Sequence, residues 1–237
     1  MHLGILRTDA VRPEWVDAHG EYPDMFERVL KSLDPTISFT TWNTEAGVLP
    51  DSTDAAEGFL ITGSKSSVYD DKDWIRRAED FVRKCHADRQ KLVGICFGHQ
   101  LVANALGGAV EKSAKGWGVG IQKYKLLDSP FGSSDSDEFC LLASHQDQVT
   151  LMPPGARLIA TSDHCEVAAQ LIGDHILTFQ GHPEFTSEYS KEIMTFRREM
   201  IGETRVLKGL ASLKTGVHEG ERVAGWMLKF FSGQIGS

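Results

Sequence analysis

Several features that would define other classes of protein are missing from this 237-residue sequence. No apolar stretch approaches the 18 uninterrupted residues a membrane-spanning helix needs, and MHLGILRTDAVRPEW opens with too short an apolar run for a signal peptide. A soluble protein of the cytoplasm, with no membrane partner, is the expectation. Lys and Arg form no run able to neutralise a phosphate backbone, and 33 acidic against 25 basic residues leave a formal net charge of -8. Nucleic acid is therefore not an expected partner. Cysteine is scarce and irregularly spaced, at Cys85, Cys96, Cys140 and Cys165, which fits neither a disulfide framework nor a CxxC metal site. Reduced thiols and no metal centre follow. No repeat of fixed period occurs, and the one low-complexity stretch, DSPFGSSDSDEF (128–139), has the composition of a solvated loop.

What is present is ordinary for a globular protein, with 41% hydrophobic and 24% charged residues. The length suits one large core, so a single domain over residues 1–237 is expected. LGILRT (3–8) reads as a strand, and YPDMFERVLKSL (22–33) as a helix with Phe26, Val29, Leu30 and Leu33 on one stripe. ISFTTWN, GFLITG (58–63) and KLVGIC (91–96) read as further strands, with a helix between Asp71 and Arg89. Strands alternating with helices imply a doubly wound, mostly parallel sheet covered by helices on both faces. After Gly107 and Gly108 come GVGIQKYKLL, EFCLLASH, ARLIATS, EVAAQLI and HILTFQ, short β-like pieces that suggest added antiparallel strands. The segment 186–237 reads as two helices, one carrying Ile193, Phe196 and Met200 and the other Val223, Trp226, Met227 and Phe230, with SGQIGS as a frayed tail.

Cys96 ends the fourth strand and opens a helix in the order G-I-C-F-G-H-Q, like the strand–turn–helix elbow that exposes a nucleophile between two glycines. A thiol attacks a carbonyl only as thiolate, and a helix N-terminus both favours an anion and offers N–H groups to a developing oxyanion. The competing reading is a small buried hydrophobe at a strand end. A thiolate mechanism needs an imidazole and a group to orient it. Of nine histidines, only His182 is followed two residues later by a carboxylate in a turn at a strand end, in FQGHPEF with Glu184; by itself that sequence also suits a surface turn. The glycine-bearing loop ITGSKSSVYD (61–70) follows another strand, where a second oxyanion donor commonly originates, making Gly63 and the Phe97 N–H the candidate pair. The alternative is an ordinary polar connection.

Five segments in this order, ITGSKSSVYD, GICFGHQLVANALGG, KGWGVG, SHQDQVTLMPPGA and FQGHPEF, resemble the class I (triad) glutamine amidotransferases and span most of the chain. They are most similar to the stand-alone branch near the GMP synthase amidotransferase domain, which includes the γ-glutamyl peptidases of plants. The resemblance implies the flavodoxin-like fold of that family, and makes Cys96 the nucleophile, His182 the general base and acid, Glu184 its orienter, and Gly63 and Phe97 the oxyanion hole. It places Gln100, Ser144, His145 and Gln146 against the substrate, although His145 and Asp147 would serve equally to fasten their loop. It implies cleavage of the γ-glutamyl amide of glutamine, or of a γ-glutamyl amide or peptide, through a γ-glutamyl thioester that water or an amine resolves, with no cofactor. No P-loop pattern G-x-x-x-x-G-K-[ST] occurs, so no ammonia acceptor is expected within these residues. The alternatives are a glutaminase subunit feeding a separate synthetase, or a non-enzymatic binding protein on the same fold.

Overall fold

The computed structural model describes residues 1–128, 130–132 and 136–235. In chain order the elements are β1 (His2–Arg7), α1 (Pro13–His19), α2 (Tyr22–Lys31), β2 (Ser38–Asn43), β3 (Gly58–Ile61), α3 (Asp73–Ala87), β4 (Leu92–Ile95), α4 (Phe97–Ala105) and β5 (Ala109–Lys112). These are followed by β6 (Gly118–Leu126), β7 (Glu138–His145), β8 (Asp147–Leu151), β9 (Ala156–Thr161), β10 (Ala169–Ile172) and β11 (Ile176–Phe179). The chain closes with α5 (Ser187–Phe196), α6 (Arg198–Ile201), α7 (Glu203–Thr215) and α8 (Gly220–Phe231).

Nine strands form one sheet in the order β2-β1-β3-β4-β11-β10-β9-β6-β7. From β2 to β11 neighbours run parallel, and from β11 to β7 they run antiparallel. Successive side chains of a strand face opposite sides of a sheet, and the two cores divide accordingly. Leu60, Val93, Ile95, Leu177 and Phe179 pack with Phe26 and Leu30 of α2 and with Trp226 and Phe230 of α8. Phe59, Ile61, Leu92 and Ile176 pack with Ile75 and Phe81 of α3 and with Leu101 and Val102 of α4 on the other side. Continuous apolar runs such as GFLI and LVGI are thus the signature of strands covered on both faces. Among the described residues no helix is long and apolar enough to cross a membrane.

Four details differ from the sequence expectation. HILTFQ is antiparallel on one side only: β11 pairs antiparallel with β10 but in parallel with β4 through Ile176–Leu92 to Phe179–Ile95, which brings its carboxyl end beside that of β4. Local sequence does not reveal this, because a four-residue apolar strand reads the same in either direction. The helix α1 and the small β5–β8 sheet, too short to stand out by periodicity, lie in stretches to which the sequence pattern assigns no element. The C-terminal segment holds four helices instead of two, because the chain breaks at Arg197 and again at Gly202, whose φ of 90° suits a residue without a side chain. Phe196 and Met200 consequently leave the apolar stripe and are exposed. The low-complexity loop lies partly, at residue 129 and at 133–135, outside the described residues, as do the last two residues of the tail.

The turn from β4 to α4 demands glycine for close approach. A Cβ on Gly94 would sit 2.5 Å from the Gly98 carbonyl oxygen, and one on Gly98 would sit 2.6 Å from that of Ile61. Both contacts are with backbone, which cannot swing away. Gly98→Ala is therefore expected to destabilise the protein by about 1–3 kcal/mol, the usual cost of forced overpacking. An unchanged denaturant midpoint for the variant would contradict this packing argument.

Candidate active site

Cys96 caps α4 with φ 53° and ψ -99°. A non-glycine residue held there stores roughly 1–3 kcal/mol of strain, which persists only when neighbouring structure fixes it. The fixing bonds are visible: Cys96 N–H donates to the Phe179 carbonyl at 2.9 Å, and the Cys96 carbonyl accepts from Gln100 N–H at 3.1 Å. Phe97 is the first residue of the helix, where an N–H has no intrahelical acceptor. Its ring is buried against Trp74, so side-chain packing anchors that peptide.

His182 arrives from the neighbouring strand. After β11, Gln180 N–H donates to the Ala168 carbonyl at 2.9 Å, and His182 N–H donates to the Leu142 carbonyl at 2.8 Å, pinning the loop to β7. The imidazole Nδ1 meets Glu184 Oε1 at 2.7 Å, both side chains being almost wholly buried. Nδ1 being occupied, Nε2 remains for the hydrogen bond between the ring and Cys96. Burial alone would push His182 down, yet the charges of Glu184 and Cys96 and the hydrogen bonds to both outweigh it and push it up to about 10. The Phe185 ring lies flat on the imidazole, with centroids 3.9 Å apart and planes within 7°. Face-on aromatic contact favours a cationic ring. Gly63 completes the floor: a Cβ there would stand 2.9 Å from His182 Cε1 and 3.6 Å from Cys96 Cβ. Thr8 Oγ1 donates to the Gly63 carbonyl at 3.0 Å and fixes that peptide.

The remaining sequence-selected residues surround a cavity of about 390 Å³ that reaches Cys96 and is lined by Gln100, Ser144, His145 and Gln146. Their side chains are not equally free. Gln100 Nε2 donates to the Asp147 carbonyl at 2.8 Å and to Gln180 Oε1 at 3.0 Å. His145 Nδ1 donates to the Asp147 carbonyl at 3.1 Å, and burial pushes the ring down to about 3, so it stays neutral. The Asp147 carboxylate accepts from Ser67 Oγ at 2.5 Å and Tyr69 OH at 2.9 Å. Of the two roles open for His145 and Asp147, this geometry favours fastening: they tie the 144–147 corner to α4 and to the loop after β3. Sequence reasoning missed Arg197, Tyr22 and Phe185. Phe185 adjoins the His-Pro-Glu segment, whereas Arg197 and Tyr22 stand in no motif and reach the site only through the helices that carry them.

Known proteins agree with this architecture. The family model for glutamine amidotransferase class-I matches residues 14–200. γ-Glutamyl peptidase 2 of Arabidopsis thaliana is 34% identical over 142 residues, 58% of this chain and 57% of that protein. The GMP synthase (glutamine-hydrolyzing) of Pyrobaculum aerophilum is 30% identical over 71% of this chain, which spans only 32% of that longer protein. The crystal structure of a glutamine amido transferase from Methylobacillus flagellatus superposes with a TM-score of 0.74 at 23% identity, covering 96% of this chain and 94% of the other. The match across residues 14–200, on a nine-stranded sheet of the same fold, shows that this chain belongs to the class I glutamine amidotransferase family.

Proposed function

We propose that the protein is a cysteine-dependent enzyme that cleaves the γ-glutamyl amide bond of glutamine or of a γ-glutamyl amide or peptide. The observation that carries this reading is His182, buried between the Cys96 side chain and Glu184, with Nδ1 2.7 Å from Glu184 Oε1. Such an arrangement has the parts of an activated nucleophile: thiol, base, and a third group orienting the base. Cys96 Sγ, its proton passed to His182 Nε2, attacks the γ-carbonyl, and the N–H groups of Gly63 and Phe97 receive the oxyanion. His182 Nε2 then gives its proton to the leaving nitrogen, the C–N bond breaks and a γ-glutamyl thioester remains. His182 next takes a proton from water or an incoming amine, which attacks the thioester and frees Cys96. Glu184 holds the imidazole in the tautomer and direction that both half-reactions use.

Support for a γ-glutamyl substrate comes from the name of the Arabidopsis relatives and from the polar cavity beside Cys96. The match to part of a GMP synthase favours a second reading, a glutaminase that hands ammonia to a separate synthetase. A panel of γ-glutamyl compounds, glutamine included, given to the purified chain separates the two. Brisk release of glutamate by the chain alone is expected. Negligible release from every compound, with a thiol at Cys96 that still alkylates readily, would shift the assignment to the partner-dependent glutaminase.

A further inference from the structure

Arg197 stands at the break between α5 and α6 and lines three cavities at once: the narrow space over Cys96, the polar cavity of about 390 Å³, and a third of about 530 Å³ on the side of α1. Its neighbour Arg198 is paired with Glu203 at 2.6 Å, but among the described residues no carboxylate pairs with Arg197. Its guanidinium donates to Ser144 Oγ at 3.3 Å and faces the Trp117 ring at 5.8 Å. The other charges on the wall of the third cavity are matched: Lys65 with Asp9, Arg12 with Glu14, Glu21 with Arg7 and the Val11 N–H. The wall is otherwise dominated by apolar and aromatic side chains, among them Trp15, Val16, Tyr22, Ile193 and Phe196. Tyr22, Ile193 and Arg197 also line the space over Cys96, so these three residues border both the third cavity and the space at the thiol.

An unpaired guanidinium at the junction of an apolar pocket and a reactive thiol suits a ligand that is apolar at one end and anionic where it meets the reaction centre. Resting on the hydrolase reading above, we propose that the third cavity receives the leaving amine, and that this amine is an amino acid with a bulky apolar side chain whose free α-carboxylate is held by Arg197. The substrate class is then a γ-glutamyl dipeptide of the γ-glutamyl-phenylalanine kind, its glutamyl end in the polar cavity. In the step itself the Cys96 Sγ–carbon bond forms, the carbon–nitrogen bond breaks, and the His182 proton leaves on the nitrogen of phenylalanine. Water then resolves the thioester, so that γ-glutamyl-phenylalanine and water give glutamate and phenylalanine. The carboxylate sits one carbon from the departing nitrogen, which is why its counter-ion belongs at the mouth of the cavity and not at its end.

The test compares kcat/KM of the full chain for γ-glutamyl-phenylalanine, γ-glutamyl-phenethylamine, which keeps the ring and lacks the carboxylate, γ-glutamylglycine and glutamine. The dipeptide is expected to exceed the phenethylamide by about 10- to 100-fold, the range of a hydrogen bond to a charged group. In Arg197→Gln that ratio collapses toward one. Phe196→Ala, at a side chain exposed enough for its loss to leave folding intact, narrows the preference of phenylalanine over glycine about 10-fold. A wild-type ratio near one, or the same ratio in Arg197→Gln, overturns the proposal, as it would if Arg197 held the glutamyl carboxylate and all four substrates fell together. Calorimetric binding of the dipeptide and the phenethylamide to Cys96→Ala isolates the pocket from the chemistry. A binding preference without turnover keeps the pocket and sinks the hydrolase reading, whereas turnover of glutamine without any preference sinks the pocket alone.

Discussion

Replacing Cys96 with serine is expected to lower kcat/KM for γ-glutamyl amides by about 10⁴-fold or more while leaving the fold intact. The side chain is 6% exposed and serine is nearly isosteric, so little packing changes. What changes is the nucleophile. In the wild type the charges of Glu184 and Cys96, and hydrogen bonds to both, outweigh burial and hold His182 raised. A hydroxyl is far harder to ionise than a thiol, so passing its proton to His182 during attack costs the serine variant far more. Release of glutamate from glutamine and from a γ-glutamyl dipeptide measures the loss. Intact-protein mass during turnover measures the intermediate: the wild type carries a γ-glutamyl adduct and the variant carries none. A variant that retains a tenth of the wild-type rate would remove Cys96 from the chemistry and return the cysteine to the role of buried hydrophobe.

The fold was readable wherever a pattern repeated. Continuous apolar runs marked β1, β3 and β4, alternation marked the half-exposed β2, and period-3.6 spacing marked α2 and α3. Such patterns failed where partner choice is made by tertiary structure. Nothing in ILTF states that β11 joins the parallel strands at β4 on one side and the antiparallel β10 on the other, yet its adjacency to β4 places His182 next to Cys96. At the site, Cys96, Gly63, His182 and Glu184 could be selected because strained turns and their chemistry restrict residue type, as the Gly94, Gly98 and Gly63 contacts illustrate. The side chains of Gln100 and His145 could be placed at the cleft but not given a task, because the carbonyl of Asp147 that both engage is invisible in a sequence. Arg197 was unreadable for the opposite reason. Any exposed-looking arginine in an amphipathic stretch reads as a solvated charge, and only the helix break at that residue aims it over the thiol.

Glu184→Gln is the second substitution with a large expected effect, about 10²- to 10⁴-fold in kcat/KM. Gln keeps the shape of the side chain and an oxygen able to accept from His182 Nδ1–H, so the 2.7 Å contact survives as geometry. It removes the charge, and burial then pushes the imidazolium down with only Cys96 to oppose it. On the proposed mechanism, the cationic His182 that donates to the leaving nitrogen is then depleted at neutral pH. The pH dependence of stability has a definite sign. His182 is raised in the folded protein from 6.5 to about 10, so its contribution is complete below 6.5 and fades as pH climbs toward 10. Glu184→Gln removes most of that contribution. The stability gap between wild type and variant is therefore widest below pH 6.5 and narrows steadily toward pH 10, as denaturant titrations at a series of pH values would register. A gap that widens with pH, or a variant with wild-type turnover at neutral pH, would mean that Glu184 does not hold His182 in its charged form, and the proton path from His182 to the leaving amine would need another source.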